Sequence, residues 1–200
     1  DPGAWRPVLV SLSAAGAATV LNLLLALPAA WLIIRGPRKL GLGLELGAML
    51  PLALPGTVVA FNLLASFGVP SWLNFGQGLA STLAILVLAY VVRQTPLAAR
   101  PLVAAVTRLD PAQDLAARGL GAGWWRRWWR VLLPQLLPGL AAAALLCLVT
   151  GLGEYVATVL LYSARWKPIS IAIQECLQGD DGRAAAQHDP AEDARQQGRR

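Results

Sequence analysis

Charge is scarce in this 200-residue chain: Asp, Glu, Lys and Arg together make up 14% of it, where a soluble domain carries about 25%. That scarcity excludes an ordinary water-soluble globule. A hydrophobic share of 56% and a mean hydropathy of +0.53 point instead to a membrane protein. Histidine is nearly absent, and His188 stands alone in a polar tail, so there is no imidazole cluster for zinc, haem or acid–base work. The two cysteines, Cys147 and Cys176, lack metal-type spacing, and in an apolar run a free cysteine behaves as a small hydrophobe, so neither a metal site nor a disulfide framework is implied. No GxxxxGK[ST] phosphate loop occurs. The glycine-rich GLGLELG and GLGAG lack its lysine, and the chain is not expected to hydrolyse ATP or to bind a cofactor of its own. The first apolar segment has no basic region before it and is too long for a signal-peptide core, so it reads as retained.

What is present is long apolar runs. No charge falls between Val8 and Ile34, and about 20 apolar residues suffice to cross the hydrocarbon. Pro28 lies within this run, where a kink is expected and tolerated. A second charge-free run, from Leu46 to Val92, is interrupted by the turn-rich SFGVPSWLNFGQG and divides into two spans. A fourth run extends from Pro138 to about Tyr162, with Glu154 its one charge. The expected fold is all-α: a polytopic transmembrane helix bundle with spans at about 8–34, 46–66, 78–96 and 138–162, and a loop at about 97–134.

Basic residues assign the sides. Arg35, Arg38 and Lys39 follow the first span, and Arg93, Arg100, Arg108, Arg118, Arg126, Arg127 and Arg130 lie between the third and fourth. The opposite loops hold little: none between Ser66 and Gly78, Arg6 at the start, and Arg165 with Lys167 after the fourth span. By the positive-inside bias the N-terminus is outside and the long loop cytoplasmic. The net charge of +6 is thereby explained by loops facing anionic lipid rather than by nucleic acid. Stretches such as SAAGAAT at 13–19 and GLAAAALL at 139–146 let helices approach closely in lipid. Asn22 and Asn62 are expected as interhelical hydrogen bonders or pathway polar groups, and no span carries the dense polar face that a proton relay needs. Glu154, inside a span, must be protonated, paired, or turned to a watery cavity; a bond to another helix and a place on a translocation path both remain open.

The loop centre reads LDPAQDLAARGLGAGWWRRWWRVLLPQLLPGL. Asp110-Pro111 starts a short helix and Gly119, Gly121 and Gly123 end it. A second helix follows, on which Trp124, Trp125, Trp128 and Trp129 take one arc and Arg126, Arg127 and Arg130 the opposite one. A membrane-surface helix, a nucleic-acid grip and a docking helix all have that shape.

Here the chain resembles the permease subunits of binding-protein-dependent ABC importers, whose cytoplasmic loop reads E-A-A, three residues, Gly, nine residues, Ile, one residue, Leu-Pro. Leu115, Ala116 and Ala117, then Gly121, Val131, Leu133 and Pro134 keep every spacing, with Asp114 just before Leu115 where the pattern has glutamate. PLALPGTVVAF at 51–61 and GEYVATVLLYSARWKPISIAIQE at 153–175 look like the matching stretches of ferric-iron-type and thiamine-type importers. The resemblance implies an inner-membrane subunit with residues 1–182 as its permease domain. Its loop would seat in a groove of a separate ABC ATPase that hydrolyses the ATP, Ala116 and Ala117 allowing close contact, Gly121 the turn, and Val131 with Leu133 anchoring the loop to the spans. It also implies a second permease half and a periplasmic binding protein delivering a small solute or ion, ferric iron favoured. In this picture the tryptophan arc packs at the membrane interface or on neighbouring spans, and the arginines face lipid phosphate or the ATPase.

The chain departs from that family after Gly182. Residues 183–200 carry four basic residues (Arg183, Arg195, Arg199, Arg200) against three acidic ones (Asp189, Glu192, Asp193) and no apolar run. They read as a disordered tail, and the chain as a C-terminal-half-like fragment of a longer permease, its last span missing or replaced. A non-transporting assembly or regulatory subunit, and less so a membrane-embedded enzyme, are the competing readings.

Overall fold

The computed structural model describes residues 5–68, 82–154, 156–161, 170–171 and 173–174. Residues 69–78 of the expected turn-rich segment at 66–78, Arg165 and Lys167, Cys176, His188 and the tail at 183–200 lie outside the described residues. Regular structure among the described residues is entirely helical: α1 (Trp5–Arg35), α2 (Arg38–Ala53), α3 (Gly56–Phe67), α4 (Leu83–Thr107), α5 (Pro111–Gly119), α6 (Trp124–Arg127), a π-helical turn (Trp128–Leu132), α7 (Leu133–Leu152) and α8 (Val156–Leu161). Three stretches are long and apolar enough to cross a membrane, namely α1, α4 and the run Trp124–Leu152, and the bent pair α2–α3 makes a fourth if counted as one span. This is a polytopic helical bundle.

Its centre is the packing of α1, α4 and α7 on one another. α1 buries Ala14, Ala15, Ala18, Ala26 and Ala30 on one face together with Ser11, Thr19 and Asn22. Small side chains at helical spacing let backbones meet where lipid offers no hydrophobic driving force. The closest approaches belong to glycines: a Cβ on Gly139 would collide with that of Ala105 and lie 3.1 Å from Pro101 O, and one on Gly151 would lie 2.7 Å from Gln94 Nε2 and 3.0 Å from Ala15 Cβ. Gly16, within the stretch SAAGAAT, has nothing near it.

Four span boundaries differ from expectation, each for a backbone reason. The run at 46–66 is not one straight helix: α2 begins already at Arg38 and stops at Ala53, and α3 leaves at 106° to it. Pro55 forces the residue before it out of the α region, and Leu54 is accordingly extended (φ −99°, ψ 130°). The third span does not end near residue 96, because α4 continues through Pro96 and Pro101 to Thr107. Neighbouring helices make such prolines tolerable in a span. Arg93 and Arg100 therefore belong to α4 and not to the loop. The fourth run begins earlier than Pro138, its helix continuing from Trp124, and it ends at Leu152. Glu154 consequently lies in a break before α8, not within a span. α1, by contrast, runs unbroken past Pro28.

Candidate functional site

Between α4 and α7 the chain forms the two short helices and glycine corner that its residues indicate. The Asp110 side chain caps α5 by accepting from Ala112 N at 2.9 Å, with Pro111 in the first turn. At the other end Gly121 adopts φ +74°. Gly121 N donates to Arg118 O at 2.9 Å and Ala122 N to Ala117 O at 3.0 Å, the paired bonds of a Schellman cap, which a residue without Cβ accommodates at no steric cost.

α5 buries no residue. Leu115 (63% exposed), Ala116 and Leu120 (88% exposed) form an open, largely apolar surface, whereas Asp114 and Ala117 turn partly inward. Asp114 receives a two-pronged bond from Arg127, Nε to Oδ1 at 2.7 Å and Nη2 to Oδ2 at 2.9 Å, and Arg118 approaches Oδ2 at 3.2 Å. Planar guanidinium and carboxylate match in this geometry, and the pairing is directional as well as strong. It clips α5 to the start of the helix that becomes α7. Gln135 adds a second tie, donating to Gln113 Oε1 at 3.1 Å.

The Trp/Arg segment divides differently from a simple two-sided helix. Arg127 does not face outward with Arg126 and Arg130; its side chain is only 13% exposed, against Asp114. Of the tryptophans, Trp128 packs edge-on against Trp31 of α1 (centroids 6.0 Å apart) and stacks with Trp124 (6.1 Å), while Trp124, Trp125 and Trp129 stay exposed. Leu27, Pro28, Trp31, Trp124, Trp128 and Leu132 line a cavity of ≈ 540 Å³ with the Asp114–Arg127 pair at its edge. The π turn at Trp128–Leu132 takes more residues per turn than an α-helix and so rotates the apolar face. Leu132 and Leu136 are thus the buried residues here, Val131 and Leu133 are half-buried, and Pro134 is exposed.

The intramembrane polar residues also separate. Asn22 is buried and its Oδ1 accepts from Thr95 Oγ1 of α4 at 3.4 Å. Its Nδ2 and the Oε1 of buried Gln94 have no hydrogen-bond partner among the described residues. Asn62, expected to bond another helix, instead donates to Val58 O of its own turn at 2.9 Å and is exposed. Glu154 pairs with Arg93 Nε at 2.9 Å. No cluster of three or more His, Cys, Asp or Glu residues stands ready for a metal ion among the described residues.

The family described as binding-protein-dependent transport system inner membrane component matches residues 20–175. The chain belongs to that family. It is a multi-pass permease of the inner membrane and not an enzyme: ATP is hydrolysed by a partner ABC ATPase, and the permease works with a second permease subunit and a periplasmic binding protein. The molybdenum transport system permease protein ModB of Escherichia coli (strain K12) is 32% identical over 191 residues, covering 91% of this permease and 83% of the relative. A putative ferric transport system permease protein, FbpB 1 of Haemophilus influenzae, is 27% identical over 174 residues, 87% of this permease but 27% of the relative. A probable sulfate transport system permease protein of Chlorokybus atmophyticus is 28% identical over 172 residues, 82% and 59% of the two chains.

Three structural features of this permease are not legible in its sequence. The Asp114–Arg127 clip joins residues on two helices whose corner is not predictable in detail. The buried anchors Leu132 and Leu136 are displaced by the π turn. Arg93 did leave a signal, as the lone charge in LAYVVRQTP, but its place beside a proline makes it read as a span end.

Proposed function

We propose that α5 is the coupling helix of this permease, facing the cytoplasm and seated in a groove of the ABC ATPase, and that the imported cargo is an inorganic oxyanion. The open surface of Leu115, Ala116 and Leu120, on a helix that buries none of its residues, is the observation that carries the docking reading. Ala116 and Ala117 permit close approach, Gly121 sets the turn that ends the helix, and Asp114 holds it to the membrane run through Arg127. Val131, Leu133 and Pro134 lie where that run enters the membrane, so a push on α5 is passed to α7.

The cargo reading rests on how the relatives match. The molybdenum permease aligns along 83% of its length, the ferric one along only 27%, and a sulfate permease also matches over most of this chain. The ferric preference drawn from short stretches at 51–61 and 153–175 is therefore the weaker one. Co-purification of the ATPase tests the docking surface. Gly121→Asp is expected to abolish retention of the ATPase while membrane insertion persists, and Leu115→Glu to keep or strengthen it. Wild-type retention by the first variant, or a marked loss with the second, would show that α5 is not the docking element. Restoration of oxyanion uptake in a permease-deficient cell separates a transporter from a non-transporting assembly subunit.

A further inference from the structure

Arg93 and Glu154 form an ion pair that no span boundary requires. Arg93 stands ten residues into α4, about 15 Å along its axis at 1.5 Å per residue, and Glu154 occupies the interruption between α7 and α8. The two side chains are 27% and 13% exposed, the guanidinium being the more open partner. Charged groups at membrane depth face a bundle interior or a watery cavity, because lipid does not solvate them. In secondary transporters, interrupted helices contribute to the substrate site.

Here one interruption holds the carboxylate itself, and hydroxyls secure the main chain at that break: Thr158 Oγ1 and Ser170 Oγ both donate to the Glu154 carbonyl, the latter at 3.5 Å. Thr158 Oγ1 also lies 2.8 Å from Tyr90 OH, one turn of α4 from Arg93. A partly open guanidinium is itself the chemistry that recognises an oxyanion, since the fork offers two parallel N–H bonds to paired oxygens.

We propose that Arg93 is a transit ligand for the inorganic oxyanion, and that Glu154 is the counter-ion it exchanges for the cargo. The proposal rests on the oxyanion reading above. At rest the pair is neutral and offers no standing charge to stray anions. When the path opens, an incoming oxyanion takes the place of the carboxylate on the guanidinium, and the carboxylate reclaims it as the anion leaves.

The test uses the assembled importer, comprising this chain, its second permease subunit, the ATPase and the binding protein, in proteoliposomes. Uptake of labelled molybdate and sulfate is read beside ATP hydrolysis stimulated by the loaded binding protein. Arg93→Gln is expected to lower uptake about tenfold or more, the loss of a charge-assisted bond, with stimulated hydrolysis retained. The neutral pair Arg93→Gln with Glu154→Gln is expected to be equally poor. Recovery of uptake in that double variant would mean that the pair only holds helices together, and would overturn the assignment. If Arg93→Gln does not assemble, Arg93→Lys decides, because it keeps the charge but loses the fork: reduced uptake supports the proposal and wild-type uptake overturns it. An importer that carries ferric iron and no oxyanion overturns the cargo reading and this assignment together, whereas oxyanion uptake indifferent to Arg93 overturns the assignment alone.

Discussion

The Asp114–Arg127 bond decides how firmly the exposed α5 is held. Both side chains are mostly shielded, at 21% and 13% exposure, and a hydrogen bond to a charged group contributes about 1.5–3 kcal/mol. Asp114→Ala leaves the guanidinium without its main partner, so amide hydrogen exchange across α5 is expected to speed up by a comparable free energy. The double variant with Arg127→Ala should recover part of that loss, because the stranded charge is removed as well. Equal exchange in wild type and single variant would mean that α5 is secured by other contacts. Asp114 was legible as an acidic residue in the first turn of a short helix. Its partner was not, since a helical wheel assigns Arg127 to the same side as Arg126 and Arg130. In the fold Arg127 turns inward to Asp114, next to Trp128 packed on Trp31.

Among the helices, α7 shows which glycines matter. Gly139 meets α4 with no room for a Cβ, whereas Gly16 faces open space. Gly139→Leu is expected to force α4 and α7 apart at a cost of about 1–3 kcal/mol or more, lowering the melting temperature in detergent, while Gly16→Leu should leave it nearly unchanged. Equal melting of the two variants would refute the close approach. The runs of small residues at 13–19 and 139–146 pointed to tight helix packing, but composition alone does not separate a glycine in contact from one facing outward. Helix ends were legible where proline acts on a free backbone, as at Leu54-Pro55. They were misread where neighbours compensate for proline, as at Pro96 and Pro101 in α4. Glu154 was recognisable as an unusual charge, but not as lying in a break, because Gly153 is a single residue in an otherwise apolar run.

For the whole molecule, orientation is the property on which docking depends. Leu120, at 88% exposure, is a suitable reporter: in a Cys176→Ser background, Leu120→Cys is expected to react with a membrane-impermeant maleimide in inside-out vesicles and not in intact spheroplasts. Cys147 is fully buried and should stay silent. Labelling from the outside would place α5 away from any ATPase. The family was legible because its loop is one contiguous stretch whose spacing from Leu115 to Pro134 survives in the chain. The cargo was not legible in the same way. Arg93 and Glu154, the proposed cargo residues, are 61 positions apart, and a path lined from separate helices would leave no local pattern.

The helical run from Trp124 to Leu152 is 29 residues long, roughly 43 Å at 1.5 Å per residue. In the proposed docking it would work like a tiller: the end beside α5 would be the handle, and Glu154 sits just past the far tip. Steering at the handle would swing that tip, so the grip of the carboxylate on Arg93 would be timed by the fuel-burning stroke at the cytoplasmic end.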